Sequence, residues 1–330
     1  MNKQPLVSVL VPSYNHGRYI TERIESIMAQ SFDDFELIVI DDCSKDDSDK
    51  ILKRLQQKFG FTYIRNSRNS GTPFAAWERI GTMARGRYIW ICESDDVAEP
   101  DFLATAVSRM RANPKAVAFY SNSYVINDQG EIIEHTASYF RDVWKEARWN
   151  QDFNASGKDE IAQFQIRGQV VPNMSSALFS VDAFRGAITP FLKRLRLTGD
   201  WLFVGMAFEH GDVEFCHRPL SRFRKHEETS RVRVQSARSQ AEFILTKYHL
   251  FQRSGLPVKN FAPVMSSDVV RFLYEPASWK AVLSSLFRIA PLATFGCALK
   301  LANSAIREPT YWKKFKERYA HSKNWRKENA

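Results

Sequence analysis

Three short polar clusters contain residue types that can bind a nucleotide or a metal ion. They are Pro12-Ser-Tyr-Asn15, Asp41-Asp42 and Glu93-Ser-Asp-Asp96, and each follows an apolar run directly. Paired carboxylates can hold a divalent cation, and phosphate oxygens can complete the coordination shell of that cation. Carboxylates also accept hydrogen bonds from ribose hydroxyls. Because Asp and Asn are common turn residues, a single cluster would indicate only a turn. Three clusters in equivalent positions favour a binding site.

The apolar runs that precede the clusters predict buried strands at residues 6–12, 35–41 and 87–92, with a further short strand at 63–64. Amphipathic helices are predicted between and after them, over residues 17–30, 47–59, 73–84 and 101–113. Strands that alternate with helices predict an α/β fold with a mostly parallel sheet. Ligands of such sheets bind at the carboxyl ends of the strands, where the polar clusters lie. No G-x-G-x-x-G and no P-loop follows the first strand, which argues against a nicotinamide dehydrogenase and a P-loop nucleotidase.

The pattern changes after a strand at residues 116–120. A hairpin is predicted from 124–126 and 132–133, while residues 137–167 are polar and aromatic without a clear period and suggest a substrate-side insertion. A strand at 177–181, a helix at 201–209 and a strand at 213–217 follow. Beyond residue 230 the sequence predicts helices only, with breaks at five prolines: Pro257, Pro263, Pro276, Pro291 and Pro309.

The positive charge is concentrated in the last quarter of the chain. Residues 240–330 hold 15 Lys or Arg against 6 Asp or Glu, so nearly all of the net charge of +10 lies there. Its last segment, residues 311–327, interleaves aromatic and basic residues, which suits the surface of an anionic membrane. Packing of a helical subdomain on the catalytic domain or on a second subunit, as in a homodimer, is the alternative. No nucleic-acid-binding motif accompanies the charge, so no nucleic-acid partner is expected.

The cysteines and the amino-terminal residues bear on the location of the protein. The four cysteines are far apart and form no CxxC pair, which argues against a zinc site and a disulfide framework. The first residues contain no apolar stretch of the secretory kind. A cytoplasmic protein is therefore expected, held peripherally at the inner face of the cytoplasmic membrane if the basic region binds lipid.

Two later residues could take part in catalysis. Asp200 follows Thr198-Gly199 at the start of an apolar helix and could be a general base, although Asp is also a common helix cap. His226 lies in a charged segment, where an imidazole could bind a metal ion or a phosphate group.

Five segments together resemble inverting family 2 glycosyltransferases of the GT-A fold. The segment VSVLVPSYNHGRYITERIESIMAQSFDDFELIVIDDCSKDDS is similar to the opening of that family. RNSRNSGT resembles its N-x-G stretch, and ARGRYIWICESDD resembles the stretch that carries its metal-binding acids. LTGDWLF is similar to the segment with the catalytic base, and FRKHEETSR to the closing R-x-H-x-x-S motif. The resemblance covers roughly residues 5–230 in family order, with Cys43 and Trp77 as departures from the usual pattern.

The resemblance implies a role for each matching residue. The donor nucleotide would contact seven residues: Pro12, Tyr14, Asn15, Asp41, Asp42, Arg68 and Asp95. Asp96 and His226 would hold Mg²⁺ or Mn²⁺, and Asp200 would be the catalytic base. Four further residues are weaker candidates for contact with the acceptor or the diphosphate: Asn173, Ser175, Trp201 and Arg224.

The expected function is metal-dependent, inverting transfer of a sugar from a UDP- or dTDP-linked donor to a hydroxyl of a saccharide acceptor, which could be lipid-linked. Bacterial O-antigen, capsule or another cell-surface polysaccharide is the expected product. A protein or lipid acceptor, or a catalytically silent nucleotide-sugar-binding membrane scaffold, are the alternatives. The expected organisation is a catalytic domain at 1–232, with a nucleotide half at 1–120 and an acceptor half at 121–232. A basic helical region follows at 233–330.

Overall fold

A computed structural model describes residues 4–226, 237–261, 263–265 and 276–307. The described residues form ten strands: β1 Val7–Ser13, β2 Phe35–Asp41, β3 Thr62–Arg65, β4 Tyr88–Ile91, β5 Val97–Ala98, β6 Ala116–Ile126, β7 Ile132–His135, β8 Phe153–Ser156, β9 Ala177–Ser180 and β10 Asp212–Arg224. Their α-helices are α1 Ile20–Met28, α2 Ser48–Phe59, α3 Pro73–Met83, α4 Phe102–Ala112, α5 Thr136–Tyr139, α6 Gly157–Glu160, α7 Val181–Ala187, α8 Gly199–Phe208, α9 Ala237–Arg253, α10 Pro276–Ile289 and α11 Pro291–Arg307.

The strands form one mixed sheet in the order β3-β2-β1-β4-β9-β6-β10-β5, with β7 beside β6 and β8 beside β10. Strands β1 to β4 are parallel to one another, as the sequence predicts. Strand β9 runs antiparallel between β4 and β6, and β5, β7 and β8 are also antiparallel to their neighbours. The predicted α/β class is confirmed, with antiparallel strands added in the second half of the sheet.

Strand β1 shows why the sheet is covered on both faces. All seven of its residues are buried, because successive side chains alternate between two helical layers. Val9 and its alternate neighbours pack in the layer that contains α1, α2 and α4. Leu10 packs in the opposite layer, with side chains of α3, α7 and α8. A near-continuous apolar run is what a doubly covered parallel strand requires.

Two strands are longer than the sequence predicts. Strand β6 continues from the predicted strand through Ser121, Asn122 and Ser123 to Ile126, so the predicted break does not exist. The three polar residues are fully buried but hydrogen-bonded, for example from Asn122 Nδ2 to the Trp149 carbonyl at 2.9 Å. Strand β10 similarly continues past residue 217, and register shifts around Pro219 accommodate the proline. Buried polar residues with partners can occupy a strand interior, which hydropathy alone does not indicate.

Residues 137–167 contribute buried side chains to the core, so part of the predicted insertion belongs to the main body of the fold. Phe140 and Trp149 are buried and stack with ring centroids 4.2 Å apart. Ile161 is also fully buried in the same cluster. Short α and π segments that cover few turns account for the absence of a clear period in the sequence.

The C-terminal helices share the core of the sheet. Leu245 and Leu250 of α9 and Leu286 of α10 lie in the same apolar cluster as Phe203 of α8. Two predicted breaks coincide with helix starts, since α10 and α11 begin at Pro276 and Pro291. Proline suits the first turn of a helix, where its missing N–H leaves no hydrogen bond unmade. The predicted boundary at residue 232, the break at Pro309 and the aromatic–basic segment at 311–327 lie outside the described residues.

None of the described helices is both long and apolar enough to cross a bilayer.

Candidate active site

The ends of β1, β2 and β4 meet at one edge of the sheet, as their parallel directions predict. The Asp42 amide donates to the Ser13 carbonyl at 2.8 Å, which joins the ends of β2 and β1. His16 Nδ1 lies 2.7 Å from the Ser94 hydroxyl, which joins the loops after β1 and β4. The three polar clusters therefore form one site.

Asp41 and Asn15 hold the loops of this edge in place. Asp41 is fully buried, and its carboxylate accepts from the Ser44 hydroxyl and from Arg65 Nε at 3.2 Å. Asn15 adopts a left-handed backbone conformation with φ of 55°, and its side-chain oxygen accepts from the Lys45 amide at 2.8 Å. Asn tolerates that conformation better than most residues. Both side chains are thus engaged within the protein.

Other predicted donor residues differ in what they offer a ligand. Pro12 is buried at the end of β1, while Tyr14 is 39% exposed. The Asp42 carboxylate accepts from the Ser70 amide at 2.9 Å, the Ser70 hydroxyl at 2.7 Å and Asn66 Nδ2 at 2.7 Å. Arg68 is exposed in the loop between these two partners. Asp42 therefore fixes the 66–70 loop, and its contact with a nucleotide base stays a prediction.

Three side chains converge at a position that suits a divalent cation. Ligand atoms of His16, Asp95 and His226 lie within 4.8 Å of one another. His226 Nε2 is 3.0 Å from a carboxylate oxygen of Asp95. Burial favours the neutral form of Asp95, but the hydrogen bond from His226 and the nearby His16 imidazole bring its pKa below the ordinary value. Two imidazoles and a carboxylate are a donor set that transition-metal ions accept.

Sequence reasoning missed His16. The sequence feature that could have indicated His16 is its position, one residue beyond the first polar cluster at the end of β1. The other two members were expected in the site, Asp95 as a nucleotide contact and His226 as a metal ligand. The structure brings them within one hydrogen bond of each other.

Asp96 lies on the inner side of its loop. It is 2% exposed, and its two oxygens accept from Asn173 Nδ2 at 2.7 Å and from the Arg224 amide at 3.0 Å. Burial, followed by the negative charge of Asp95, raises the pKa of Asp96 to about 6. Its carboxylate is outside the cluster of His16, Asp95 and His226. Ligation of a metal by Asp96 stays a prediction that these contacts do not favour.

Asn173, Ser175 and Arg224 brace the site from within. Asn173 is buried and also accepts from the Ser123 hydroxyl at 2.8 Å. Ser175 is fully buried, and its hydroxyl accepts from the Glu93 amide at 3.0 Å. Neither side chain is exposed to an acceptor.

Arg224 is 1% exposed, and each of its guanidinium nitrogens has a protein partner. Nη2 donates to Glu22 at 2.6 Å, Nε to the Asp95 carbonyl at 2.8 Å and Nη1 to the Asn127 carbonyl at 3.0 Å. Arg224 thus connects α1, the loop after β4 and the turn of the β6–β7 hairpin. These contacts leave little donor capacity for a diphosphate.

Arg23 places a positive charge beneath the carboxylates. It is fully buried, and within the described ranges its guanidinium forms no hydrogen bond to an oxygen atom, with the buried Cys92 thiol as its polar neighbour. The guanidinium lies 5.1 Å from the centre of the Trp90 ring, which offers a cation–π contact. Its charge favours the ionised forms of Glu93 and Asp96. Sequence reasoning missed Arg23 because a basic residue on an amphipathic helix is usually exposed.

Asp200 is the second residue of α8, directly before the buried, apolar stretch of that helix. The cap position belongs to Thr198, and an Asp200 oxygen accepts from the Trp201 amide at 2.8 Å. Asp200 also borders a cavity of about 580 Å³. Aromatic rings line much of its wall: Tyr139, Phe140, Trp144, Trp201, Phe223 and Phe243. Trp201 is otherwise buried, at 4% exposure.

Glu93 interacts electrostatically with Asp200 at the cavity and with Asp95 of the cluster formed by His16, Asp95 and His226. Burial raises the pKa of Glu93 well above its ordinary value, and the charges of Asp95, Asp96 and Asp200 raise it further. The carboxyl group of Glu93 therefore interacts with three other carboxyl groups. Such interactions between like charges are common at catalytic sites.

The C-terminal region positions Asp200 through Glu242 of α9. Glu242 is 1% exposed, and one of its oxygens accepts from the amides of Arg196 at 2.9 Å, Leu197 at 2.8 Å and Thr198 at 3.4 Å. The Thr198 hydroxyl is 2.8 Å from that of Thr246, also on α9. The backbone that leads into α8 is thereby fixed to the C-terminal region.

Comparison with known proteins identifies the family. Residues 8–171 match Glycosyl transferase family 2. The chain is 36% identical over 134 residues to an uncharacterized glycosyltransferase of Methanocaldococcus jannaschii, covering 40% of this chain and 46% of the relative. It is 35% identical over 130 residues to the Bacillus subtilis protein named for teichuronic acid biosynthesis, TuaG, covering 38% of this chain and 50% of TuaG.

The fold has a solved counterpart. The crystal structure of Staphylococcus aureus TarS 1–349 in complex with UDP matches with a TM-score of 0.63 at 17% identity, covering 93% of this chain and 91% of that one. The chain spans half the length or less of the curated relatives named above. The matched residues include β1, β2 and β4, whose ends carry the polar clusters, and the resemblance noted in the sequence is confirmed. The chain belongs to glycosyl transferase family 2.

Proposed function

We propose that the protein is a metal-dependent, inverting glycosyltransferase that moves a sugar from a UDP- or dTDP-linked donor to a hydroxyl of a saccharide. The observation that carries the proposal is the pairing of two features at one sheet edge. A cluster of two imidazoles and a carboxylate adjoins the expected nucleotide site. A carboxylate, Asp200, borders an aromatic cavity that could hold an acceptor.

His16, Asp95 and His226 would hold the metal ion. The Asp95 carboxylate suits either Mg²⁺ or Mn²⁺, and phosphate oxygens of the donor would complete the coordination shell of the ion. A bound divalent cation would neutralise the charge that develops on the leaving nucleoside diphosphate. Asp96, as first predicted for the metal, would instead fix the loop that carries Asp95 through its bonds to Asn173 and the Arg224 amide.

Asp200 would remove the proton of the attacking hydroxyl. Its carboxylate lines the cavity, so an acceptor bound there could approach it directly. Aromatic rings such as those of Trp144 and Tyr139 present flat faces on which the C–H face of a sugar can pack. Polar side chains in the same wall, among them Gln169 and Arg167, could bind sugar hydroxyls. Displacement by a hydroxyl from the face opposite the leaving group inverts the anomeric centre.

The test compares Asp200→Asn with the unaltered protein. Sugar transfer should fall at least roughly a hundredfold, as expected for loss of a general base. The dissociation constants of UDP and dTDP, measured by calorimetry with Mn²⁺, should stay the same. Intact transfer in Asp200→Asn would remove Asp200 as the base. Nucleotide binding without sugar transfer by the unaltered protein would favour the alternative, a catalytically silent scaffold, and absence of any nucleotide binding would refute the donor site.

Synthesis of a bacterial cell-surface polysaccharide is the proposed setting. TuaG, one of the relatives, is named for teichuronic acid biosynthesis. A large aromatic cavity suits the end of a saccharide chain, whereas a peptide acceptor would need unpaired backbone hydrogen-bonding groups along a groove. Sugar transfer to oligosaccharides, but not to proteins or simple lipids, would support polysaccharide synthesis over a protein or lipid acceptor.

A membrane-surface role for the C-terminal region has one further observation in its favour. Leu292, Phe295 and Leu299 of α11 are 88%, 61% and 56% exposed, and they follow one another at helical spacing. Phe287 of α10 is 52% exposed, beside the exposed Arg288. Apolar side chains next to basic ones are typical of helices that lie in a lipid interface.

Flotation with anionic and neutral vesicles tests this role. The unaltered protein should float with anionic vesicles, and Leu292→Ser/Phe295→Ser/Leu299→Ser should not. If the triple variant floats equally well, another part of the chain binds the lipid. If instead a dimer of the unaltered protein dissociates in the variant, the surface joins two subunits.

A further inference from the structure

A second cavity, of about 230 Å³, lies between the start of α3 and the segment that enters α8. Ser70, Gly71 and Thr72 form one side of it. Basic side chains dominate the rest of its lining: Lys193, Arg194, Arg196, Arg238 and Arg288. We refer to it as the basic cavity. It shares no lining residue with the aromatic cavity at Asp200.

The basic cavity holds more positive than negative charge. Lys193 is paired with Glu78 at 2.6 Å, and Arg238 with Glu242 at 3.0 Å. In the part of the chain that the structure describes, Arg194, Arg196 and Arg288 form no ion pair with a carboxylate. Arg194 instead donates to the Ile289 carbonyl at 3.1 Å. Three cations without anionic partners in a concave surface attract anions.

The opposite wall of the basic cavity adds further positive charge, from the N-terminal end of a helix. Thr72 caps α3, accepting from the Phe74 amide, so the positive end of an eleven-residue helix faces this wall. The helix end alone would not define a site. Together with guanidinium groups, which bind phosphate and carboxylate oxygens in pairs, it creates a cavity suited to one anionic group.

We propose that the basic cavity binds a phosphate or carboxylate group carried by the saccharide acceptor. The placement of its two walls supports an acceptor. Residues 193–196 lead directly into Thr198 and Asp200, and Ser70 is hydrogen-bonded to Asp42. An anion held there would be anchored beside both expected reactant sites, away from the reacting hydroxyl. This assignment of the occupant depends on the proposed function; the anion site itself does not.

Calorimetry on the full chain tests the proposal without any turnover. The probes are an oligogalacturonate, a phosphorylated oligomannose, a neutral oligomannose, inorganic phosphate and UDP with Mn²⁺. The cavity variant is Arg196→Gln/Arg288→Gln. The control is Arg54→Gln/Arg111→Gln, which removes the same charge from exposed positions on α2 and α4.

We expect at least one anionic oligosaccharide to bind the unaltered protein and the control alike. Its dissociation constant should rise roughly tenfold or more in the cavity variant, since two charge-assisted contacts are lost. The neutral oligomannose and UDP should show no difference among the three proteins.

Four results would overturn the proposal. Equal weakening in the control would indicate general charge attraction. Weaker UDP binding in the cavity variant alone would assign the cavity to the donor diphosphate. Inorganic phosphate binding as tightly as the oligosaccharides would indicate a site for a free anion, and no binding of either oligosaccharide would rule out an acceptor site. Failure of the proposed function has a different signature: oligosaccharide binding that depends on the cavity, with no sugar transfer.

Discussion

Replacement of Glu242 should disturb the site from a distance, because its carboxylate binds the backbone that leads to Asp200. One buried oxygen accepts three amides, from Arg196, Leu197 and Thr198, and the other oxygen accepts from Arg238. Hydrogen bonds to a charged group contribute about 1.5–3 kcal/mol each. Arg196 is exposed, so water can hydrogen-bond its amide when Glu242 is replaced. The energies of the three amide hydrogen bonds are therefore not fully additive. The ion-pair partner Arg238 is 41% exposed, so water can solvate it in a variant and loss of this pair adds little to the cost.

We therefore expect Glu242→Ala to lower the free energy of unfolding by about 3–5 kcal/mol, mainly through the three amide hydrogen bonds. Glu242→Gln keeps an oxygen acceptor without the charge and should lose about 1–2 kcal/mol. Urea titration followed by circular dichroism measures both. Glu25→Ala is the control, because its ion pair with Lys58 is exposed and should contribute at most about 1 kcal/mol.

Measurement of kcat distinguishes a role of Glu242 in positioning the site from a role in stability alone. At a temperature where each variant is fully folded, kcat should fall in Glu242→Ala and recover partly in Glu242→Gln, while the dissociation constant of UDP stays constant. A destabilised variant with unchanged kcat would show that Glu242 only stabilises the fold. A loss of less than about 1 kcal/mol in Glu242→Ala would refute the account of the three amides, since even one charged hydrogen bond exceeds that value.

Three further changes test other parts of the structure. Arg23→Met removes the buried cation that favours the ionised forms of Glu93 and Asp96, so it should lower the free energy of unfolding more at about pH 8, where these groups ionise, than at about pH 5; an equal change at the two pH values would mean that the guanidinium does not act on these carboxyl groups. Burial and the nearby Arg253 lower the pKa of His249 to about 4. Between pH 6.5 and 4, His249 therefore binds a proton in the unfolded chain but not in the folded chain. Acidification from pH 7 to 4.5 should therefore cost about 2–3 kcal/mol through this group, and His249→Gln should lose that much less in urea titrations at the two pH values. Trp144→Ala should raise the acceptor KM about tenfold, as for loss of one stacked ring, and leave the UDP dissociation constant unchanged; equal KM values would exclude Trp144 from the acceptor wall.

The first half of the fold could be predicted from sequence because its signals are local. Strands β1, β2 and β4 are short apolar runs, and each ends at its polar cluster. The second half could not be predicted as well, since β6 continues through Ser121, Asn122 and Ser123. These residues belong in a strand only because partners distant in sequence, such as Trp149 and Asn173, satisfy them. Hydropathy patterns carry no information about such partners.

The site shows the same division. Residue type and position at a strand end indicated which carboxylates lie at the site. They could not indicate which role each carboxylate has. Asp95 and Asp96 are adjacent in sequence, yet one borders two histidines and the other faces Asn173 inside the protein. Which of two neighbouring side chains points outward depends on backbone angles that the sequence does not reveal. His16 and Arg23 were missed for a related reason, because an isolated His or a helix Arg has no local signal of burial or contact.

The arrangement of the carboxyl groups gives each a separate task. Asp41 and Asp42 have their oxygens occupied by loop residues, so their charge is used mainly to order the expected nucleotide site. Asp96 is held inside by hydrogen bonds, and the pKa of Glu93 lies well above its ordinary value, so neither charge competes with Asp95 for a cation. Asp95, paired with His226, is thereby the best-placed carboxylate for a metal ion. Asp200 borders the aromatic cavity, and Glu242 fixes the backbone that leads into its helix. Separate supports for the donor and acceptor sides would let an acceptor exchange in the aromatic cavity without disturbing the donor site.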